Sequence, residues 1–226
     1  MRLQDRDPVA ALSGPGLRVR ALIVAAGCFA LPFPAIAGNV YPPNCTSPAM
    51  VTLVGHDGAG VSDPIADVSV IVRDLAQNLI ANSTVELRFA GFTDLKIAQF
   101  PALPGLSVHC ETSSVFGFTD AAGRVNFRVM GRTDPSIAAQ GAQGPTLEIY
   151  ADGRFLSRVP VAVLDRDGNG MGTTDLSAWL ADYFSNQYWA RSDMDGDLAL
   201  SAGDLSVWLA GFFAAGSVQS SAALCP

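Results

Sequence analysis

The sequence predicts an all-β sandwich followed by a small α module of two loop–helix repeats. Two observations predict it. Between residues 46 and 164, short runs of alternating apolar and polar residues recur between turn formers. Beyond residue 164, an acidic loop leads twice into one helical phrase, Asp175-Leu176-Ser177-Ala178-Trp179-Leu180-Ala181 and Asp204-Leu205-Ser206-Val207-Trp208-Leu209-Ala210. The phrases lie 29 residues apart, Asp175 to Asp204, and so form an internal repeat.

From the N-terminus, Arg18 and Arg20 precede an apolar run over 21–31, and Ala35-Ile36-Ala37 has the form of a cleavage site. Residues 1–37 are expected to be a secretory signal peptide, followed by a short leader over 38–45. Pro32 and Pro34 cut the run short of a membrane span, so no transmembrane segment is expected in the mature chain. Val24-Ala25-Ala26-Gly27-Cys28 is faintly similar to a lipoprotein box, which keeps a lipid anchor as the alternative. The expected location is secreted or extracellular, with a bacterial periplasm or cell surface as narrower forms of the same expectation.

Strand candidates follow at 50–54, 68–73, 83–89, 106–110, 114–118, 125–129, 146–150 and 155–163, rich in β-branched and aromatic residues. Asp152-Gly153 is a two-residue hairpin signal, and the turn spacing predicts antiparallel pairing. The turn chemistry of Arg73-Asp74, Asn78 to Val85 and Phe118 to Phe127, with Asp120 and Gly123, resembles the bacterial Ig-like repeats of invasin and intimin type. That resemblance covers most of 46–164 and implies an immunoglobulin-like sandwich, a statement about fold more than function.

The loops carry the chemistry. Asp165, Asp167 and Asn169 stand at every second residue, Met171 offers its carbonyl and Asp175 closes the set. In the second loop Asp193, Asp195 and Asp197 are followed by the Ala199 carbonyl, by Ser201 acting through water, and by Asp204. Oxygen ligands at alternate positions, closed by a carboxylate at a helix start, are what Ca²⁺ asks of a short loop. Gly170 suits the sharp turn, whereas Leu198 occupies that place in the second copy. Asp175 arrives at the eleventh loop position and Asp204 at the twelfth, so the second loop is expected to be the better site. The same residues would also serve solvated turns and helix N-caps without any ion. Two such loops with almost no basic residue between them favour the metal.

The chain enters the first loop through Phe155 to Leu164, a β-branched run broken by Pro160, where an ordinary EF-hand has a helix. A duplicated loop and exiting helix, with Asp-x-Asp-Gly-Asn/Asp starts and Asp-Leu-Ser helix entries, resembles the type I dockerin domain over residues 164–213. The resemblance implies two calcium-loop/helix (F-hand) repeats within 165–213, calcium-dependent folding and a cohesin-like protein partner. Thr173 and Thr174 match the family's partner-binding Ser/Thr pair. The second copy has Ala202-Gly203 there, and Leu180-Ala181 and Leu209-Ala210 replace the family's basic pairs, so fold and calcium carry over further than cohesin binding. Residues 214–226 are read as a tail.

Leu176, Trp179, Leu180, Tyr183 and Phe184, and likewise Leu205, Trp208, Leu209, Phe212 and Phe213, share one face of each helix and are expected in the core. The linker 185–191 is long enough for the helices to pack antiparallel. Of four cysteines, Cys45, Cys110 and Cys225 follow residue 37. Cys45 and Cys225, near the two ends of the mature chain, are the preferred pair, leaving Cys110 free.

The formal net charge of −7 becomes −9 without the four Arg and two Asp of residues 1–37, which excludes nucleic acid as a partner. The two histidines, His56 and His109, form no metal pair, no nucleophile elbow is found, and the three glutamates, Glu86, Glu111 and Glu148, fall on strands. No enzyme is expected. The expected function is a secreted, non-catalytic calcium-binding protein whose dockerin-like module attaches it to a protein partner in an extracellular assembly. The alternative places carbohydrate, cell-surface binding or adhesion in the Ig-like domain, with a surface glycan as partner, the repeat as a calcium-stabilised cap and a link to polysaccharide breakdown.

Overall fold

Eleven strands and two α-helices are built over the described residues of the computed structural model, which are 38–55, 66–89, 91, 94–134, 144, 146–215 and 223–226. The chain divides into units Met1–Ala35 and Ile36–Pro226, and every described residue belongs to the second. The expected signal peptide, its lipoprotein-like box and His56 lie outside the described residues. Among those residues no helix is long and apolar enough to cross a membrane.

Five strands form one antiparallel sheet in the order β10 (Arg154–Val159), β9 (Leu147–Ala151), β3 (Thr84–Arg88), β6 (Ser114–Phe118), β5 (Ser107–His109). Its period-2 pattern is plain in β3, where Val85 and Leu87 are buried while Glu86 and Arg88 point outward and pair at 2.9 Å. The predicted hairpin joins β9 to β10, with Asp152 and Gly153 both in the left-handed region at φ 46° and 73°. A second sheet has the order β11 (Val161–Val163), β1 (Val51–Val54), β8 (Val129–Thr133), β4 (Leu95–Ile97), and β2 (Val68–Ile71) pairs with β7 (Arg124–Phe127).

The antiparallel expectation fails in the second sheet, because β1 runs parallel to both β11 and β8. Pro160 marks where the chain changes sheets. It has no N–H to continue the β9 ladder, and its carbonyl instead accepts from Val51 at 3.1 Å, passing the chain to the other sheet. The single strand expected over 155–163 is therefore two strands in two sheets. The run expected over 125–129 likewise splits into β7 and β8, and β4, only three residues long, carried no period to read.

Buried residues of all three sheets, among them Leu53, Val70, Leu87, Ile97, Val115, Phe127, Ile149 and Val161, make one core, compatible with a β-sandwich followed by a small helical part. Each such side chain contributes about 1.5–3 kcal/mol of burial. The C-terminal residues return to this body. Gln99 donates to the Ala223 carbonyl and Cys225 to that of Ile97, both at 2.8 Å, which brings Cys225 beside Cys110. The disulfide is Cys110–Cys225, with Cα atoms 5.1 Å apart, and among the described residues Cys45 is the free thiol, accepting from the Arg73 N–H at 3.4 Å. This corrects the pairing expected from chain ends alone.

Helices α1 (Thr173–Phe184) and α2 (Ala202–Ala215) do not form a core of their own. Trp179 and Trp208, 2 % and 3 % exposed, pack with Met171 and Met194 against Val54, Ala98, Met130, Ala162 and Leu164 of the sheet body. One core therefore crosses the domain boundary expected at 164. The stripe is narrower than expected, since Tyr183, Phe184 and Phe213 are 40 %, 71 % and 79 % exposed. Five residues on from its tryptophan, each exposed phenylalanine lies about 140° further round the helix, beyond the arc that faces the sheet.

Candidate metal centres

Between β11 and α1, the carboxylates of Asp165, Asp167 and Asp175 offer ligand oxygens all within 4.8 Å of one another. The loop backbone builds this convergence. Asp165 accepts from the Gly168 N–H at 2.8 Å and the Gly170 N–H at 2.9 Å, and Gly168 and Gly170 take φ 82° and 100° to turn those amides inward. Asp175, in the first turn of α1, reaches back to the N–H groups of Arg166 at 2.7 Å and Gly172 at 2.9 Å. Asn169 folds onto Asp167, its amide 2.7 Å from that carboxylate. Met171 is buried, and Thr173 and Thr174 stand exposed at the helix start.

The second loop repeats the four backbone-to-carboxylate bonds. Asp193 accepts from Gly196 at 2.7 Å and Leu198 at 3.1 Å, and Asp204 from Met194 at 2.6 Å and Ser201 at 2.7 Å. Asp193, Asp195 and Asp197 form the second group within 4.8 Å. Asp204 is not part of that group, whereas Asp175, one residue earlier in its shorter loop, is part of the first. Leu198 takes φ 67°, the left-handed turn that glycine makes in the first loop. Ala199 is exposed, and its N–H donates to Asp197 at 2.8 Å.

Burial, helped by the charges of Asp165 and Asp167, pushes the Asp175 carboxyl above its ordinary range, despite the two N–H groups facing it. Burial, with Asp195 beside it, does the same to Asp204. These are oxygen-only donor sets. Both groups could hold a metal ion.

The loops also bind the sheet body and each other. A Cβ at Gly168 would collide with the Arg132 side chain of β8, and one at Gly196 would lie 3.0 Å from Met50 Cβ, so both glycines permit close docking. The Trp179 indole donates to the Ser192 carbonyl at 3.0 Å, and the Trp208 indole to the Leu164 carbonyl at 3.2 Å. Ser192 directly precedes Asp193, and Leu164 directly precedes Asp165. Each helix thus braces the other loop.

A buried ionic cluster adds to this. Asp182 accepts from Arg166 at 2.6 Å, from two nitrogens of Arg191 at 3.0 Å and from Ser192 at 2.8 Å, while Arg191 lies 3.5 Å from Asp94, ahead of β4. Burial alone would raise the Asp182 carboxyl, but Arg191 and Arg166 outweigh it and hold it below the ordinary range. Sequence reasoning missed these residues. The available signal was that Arg166 and Arg191 are the only basic residues over 165–213, and that Asp182 shares the Trp179 face of α1.

Comparison with protein-family models, curated proteins and solved structures returns no match.

Proposed function

We propose that this is a secreted, non-catalytic calcium-binding protein, in which a dockerin-like repeat of two F-hand loops closes on Ca²⁺ and caps an Ig-like sandwich that carries surface or glycan recognition. The duplicated convergence of carboxylates supports the metal, and hard oxygen donors favour calcium over zinc or copper. The observation that carries the cap reading is the burial of Trp179 and Trp208 against the sheet body. Bound calcium would neutralise the loop charge that opposes this docking. Asp165, Asp167, Asn169 and Asp175, with the Met171 carbonyl, would hold one ion. Asp193, Asp195, Asp197 and Asp204, with the Ala199 carbonyl, would hold the other.

A second reading, attachment to a cohesin-like protein partner, is favoured by the exposure of Thr173 and Thr174 at the start of α1. Calorimetric titration of the full chain with Ca²⁺, beside Asp165→Ala and Asp193→Ala, tests the metal. Two binding events are expected, one lost in each variant, with loss of helical circular dichroism in chelator. No heat and an unchanged spectrum would refute calcium. Thr173→Ala/Thr174→Ala then separates the two readings, since only attachment to a protein partner requires that pair.

A further inference from the structure

The linker between the repeats is held in one shape. Ser185 donates to the Asp182 carbonyl through its N–H at 3.1 Å and its hydroxyl at 2.7 Å. The same hydroxyl accepts from the Gln187 N–H at 3.2 Å and the Trp189 indole at 2.9 Å. Asn186 takes φ 56°, and the Arg191 guanidinium lies over the Trp189 ring at 4.9 Å. This turn shapes a cleft of about 490 Å³ lined by Tyr183, Phe184, Asn186, Gln187, Tyr188 and Leu200.

The lining is three aromatic rings, two amides and one aliphatic side chain, with no charge among them. Tyr183 and Phe184 meet edge to face at 73°, and Trp179 stacks on Tyr183 at 5.2 Å, so Phe184, 71 % exposed, offers the open aromatic face. Aromatic faces cover the C–H face of a sugar ring, and primary amides both donate to and accept from its hydroxyls. Preorganised clefts of this size and lining take small neutral ligands. The acidic loop alongside disfavours an anion. Tyr188 joins the cleft to that loop, its hydroxyl donating to Asp193 at 2.7 Å. The first loop has no counterpart, since Pro160 stands at the equivalent position.

We propose that this cleft binds a neutral saccharide and that the second calcium loop holds its wall in place through Tyr188. The coupling to calcium rests on the metal reading above, whereas the ligand class rests on the cleft alone. The test is calorimetry of the full chain with β-1,4-glucan, β-1,4-xylan and α-1,4-glucan hexasaccharides, in calcium and in chelator. At least one is expected to bind in calcium and to weaken several-fold in chelator. Phe184→Ala should weaken it about tenfold, one stacking contact. Phe213→Ala, on an equally exposed ring outside the cleft, should leave it unchanged. Tyr188→Phe should make saccharide affinity independent of calcium. No binding of any hexasaccharide, or equal losses in Phe184→Ala and Phe213→Ala, overturns the site. Equal affinity in calcium and chelator, in a protein that shows calcium heats, overturns the coupling. Absent calcium heats refute the metal reading and the coupling together, and Phe184→Ala still decides the cleft.

Discussion

The indole N–H of Trp179 ends on the carbonyl of Ser192, 3.0 Å away and one residue before the first carboxylate of the opposite loop. Trp208 makes the reciprocal bond to Leu164, one residue before Asp165, at 3.2 Å. Neither helix can leave the sheet body without withdrawing a buried donor from the other loop's entrance, so the two loops and the shared core stand or fall together.

Trp208→Phe keeps most of the packing but leaves the buried Leu164 carbonyl without its donor, at a cost of about 1–3 kcal/mol. Calcium affinity is expected to fall more at the first loop than at the second, although Trp208 follows the second. Titrations in Asp193→Ala and Asp165→Ala backgrounds isolate each site, and a larger loss at the second loop would contradict the cross-brace.

Asp182→Asn leaves two buried guanidiniums without their shared carboxylate and is expected to destabilise the protein by about 3–5 kcal/mol in urea unfolding. Because Asp182 titrates below its unfolded value, its contribution is fully present above the ordinary carboxylate pKa near 4 and is lost as pH falls through the lowered one. The gap between wild type and variant should stay constant from pH 7 to 5 and close only in stronger acid.

Asp175 and Asp204 have the opposite sign. Their raised values make ionisation costly to the metal-free fold, fully so above those values and not at all below the ordinary value near 4. In chelator that cost is expected to be lost, and the melting temperature to rise, as pH falls through the raised values toward about 4. Saturating calcium should reverse that slope, because protons and the ion compete for the same oxygens. Parallel slopes in the two conditions would count against metal at these carboxylates.

Leu198→Gly removes a left-handed β-carbon at φ 67° from a side chain already 54 % exposed. A gain of about 1 kcal/mol in calcium-loaded stability is expected. Thermal unfolding of the variant measures it, and a loss would mean that the Leu198 side chain packs more than it strains.

Peptide mapping of the oxidised protein should recover Cys110 joined to Cys225, with Cys45 alkylated. Opening that loop, closed across a sequence separation of 115, by Cys110→Ser is expected to cost about 4–5 kcal/mol. Cys45→Ser should be nearly neutral.

Much of the local structure was legible in the residues. Alternation marked β3 and β6, Asp152-Gly153 marked its hairpin, and the two phrases beginning at Asp175 and Asp204 marked both helices and the loops that feed them. These signals depend on neighbours a few positions apart, and they survive any tertiary arrangement. The aromatic stripe was legible only in part, because a helical wheel cannot say how wide an arc the sheet will cover, and Phe184 and Phe213 fell outside it.

The amino-acid sequence by itself determined where the acidic loops lie, which oxygens alternate within them and which face of each helix is apolar, since all of these follow from spacing along a regular backbone. Only the tertiary structure decided that Pro160 moves the chain between sheets, that Cys225 meets Cys110, and that Arg191 finds Asp94 across 97 residues. Contacts of that range depend on how whole elements stack, and no local period records it.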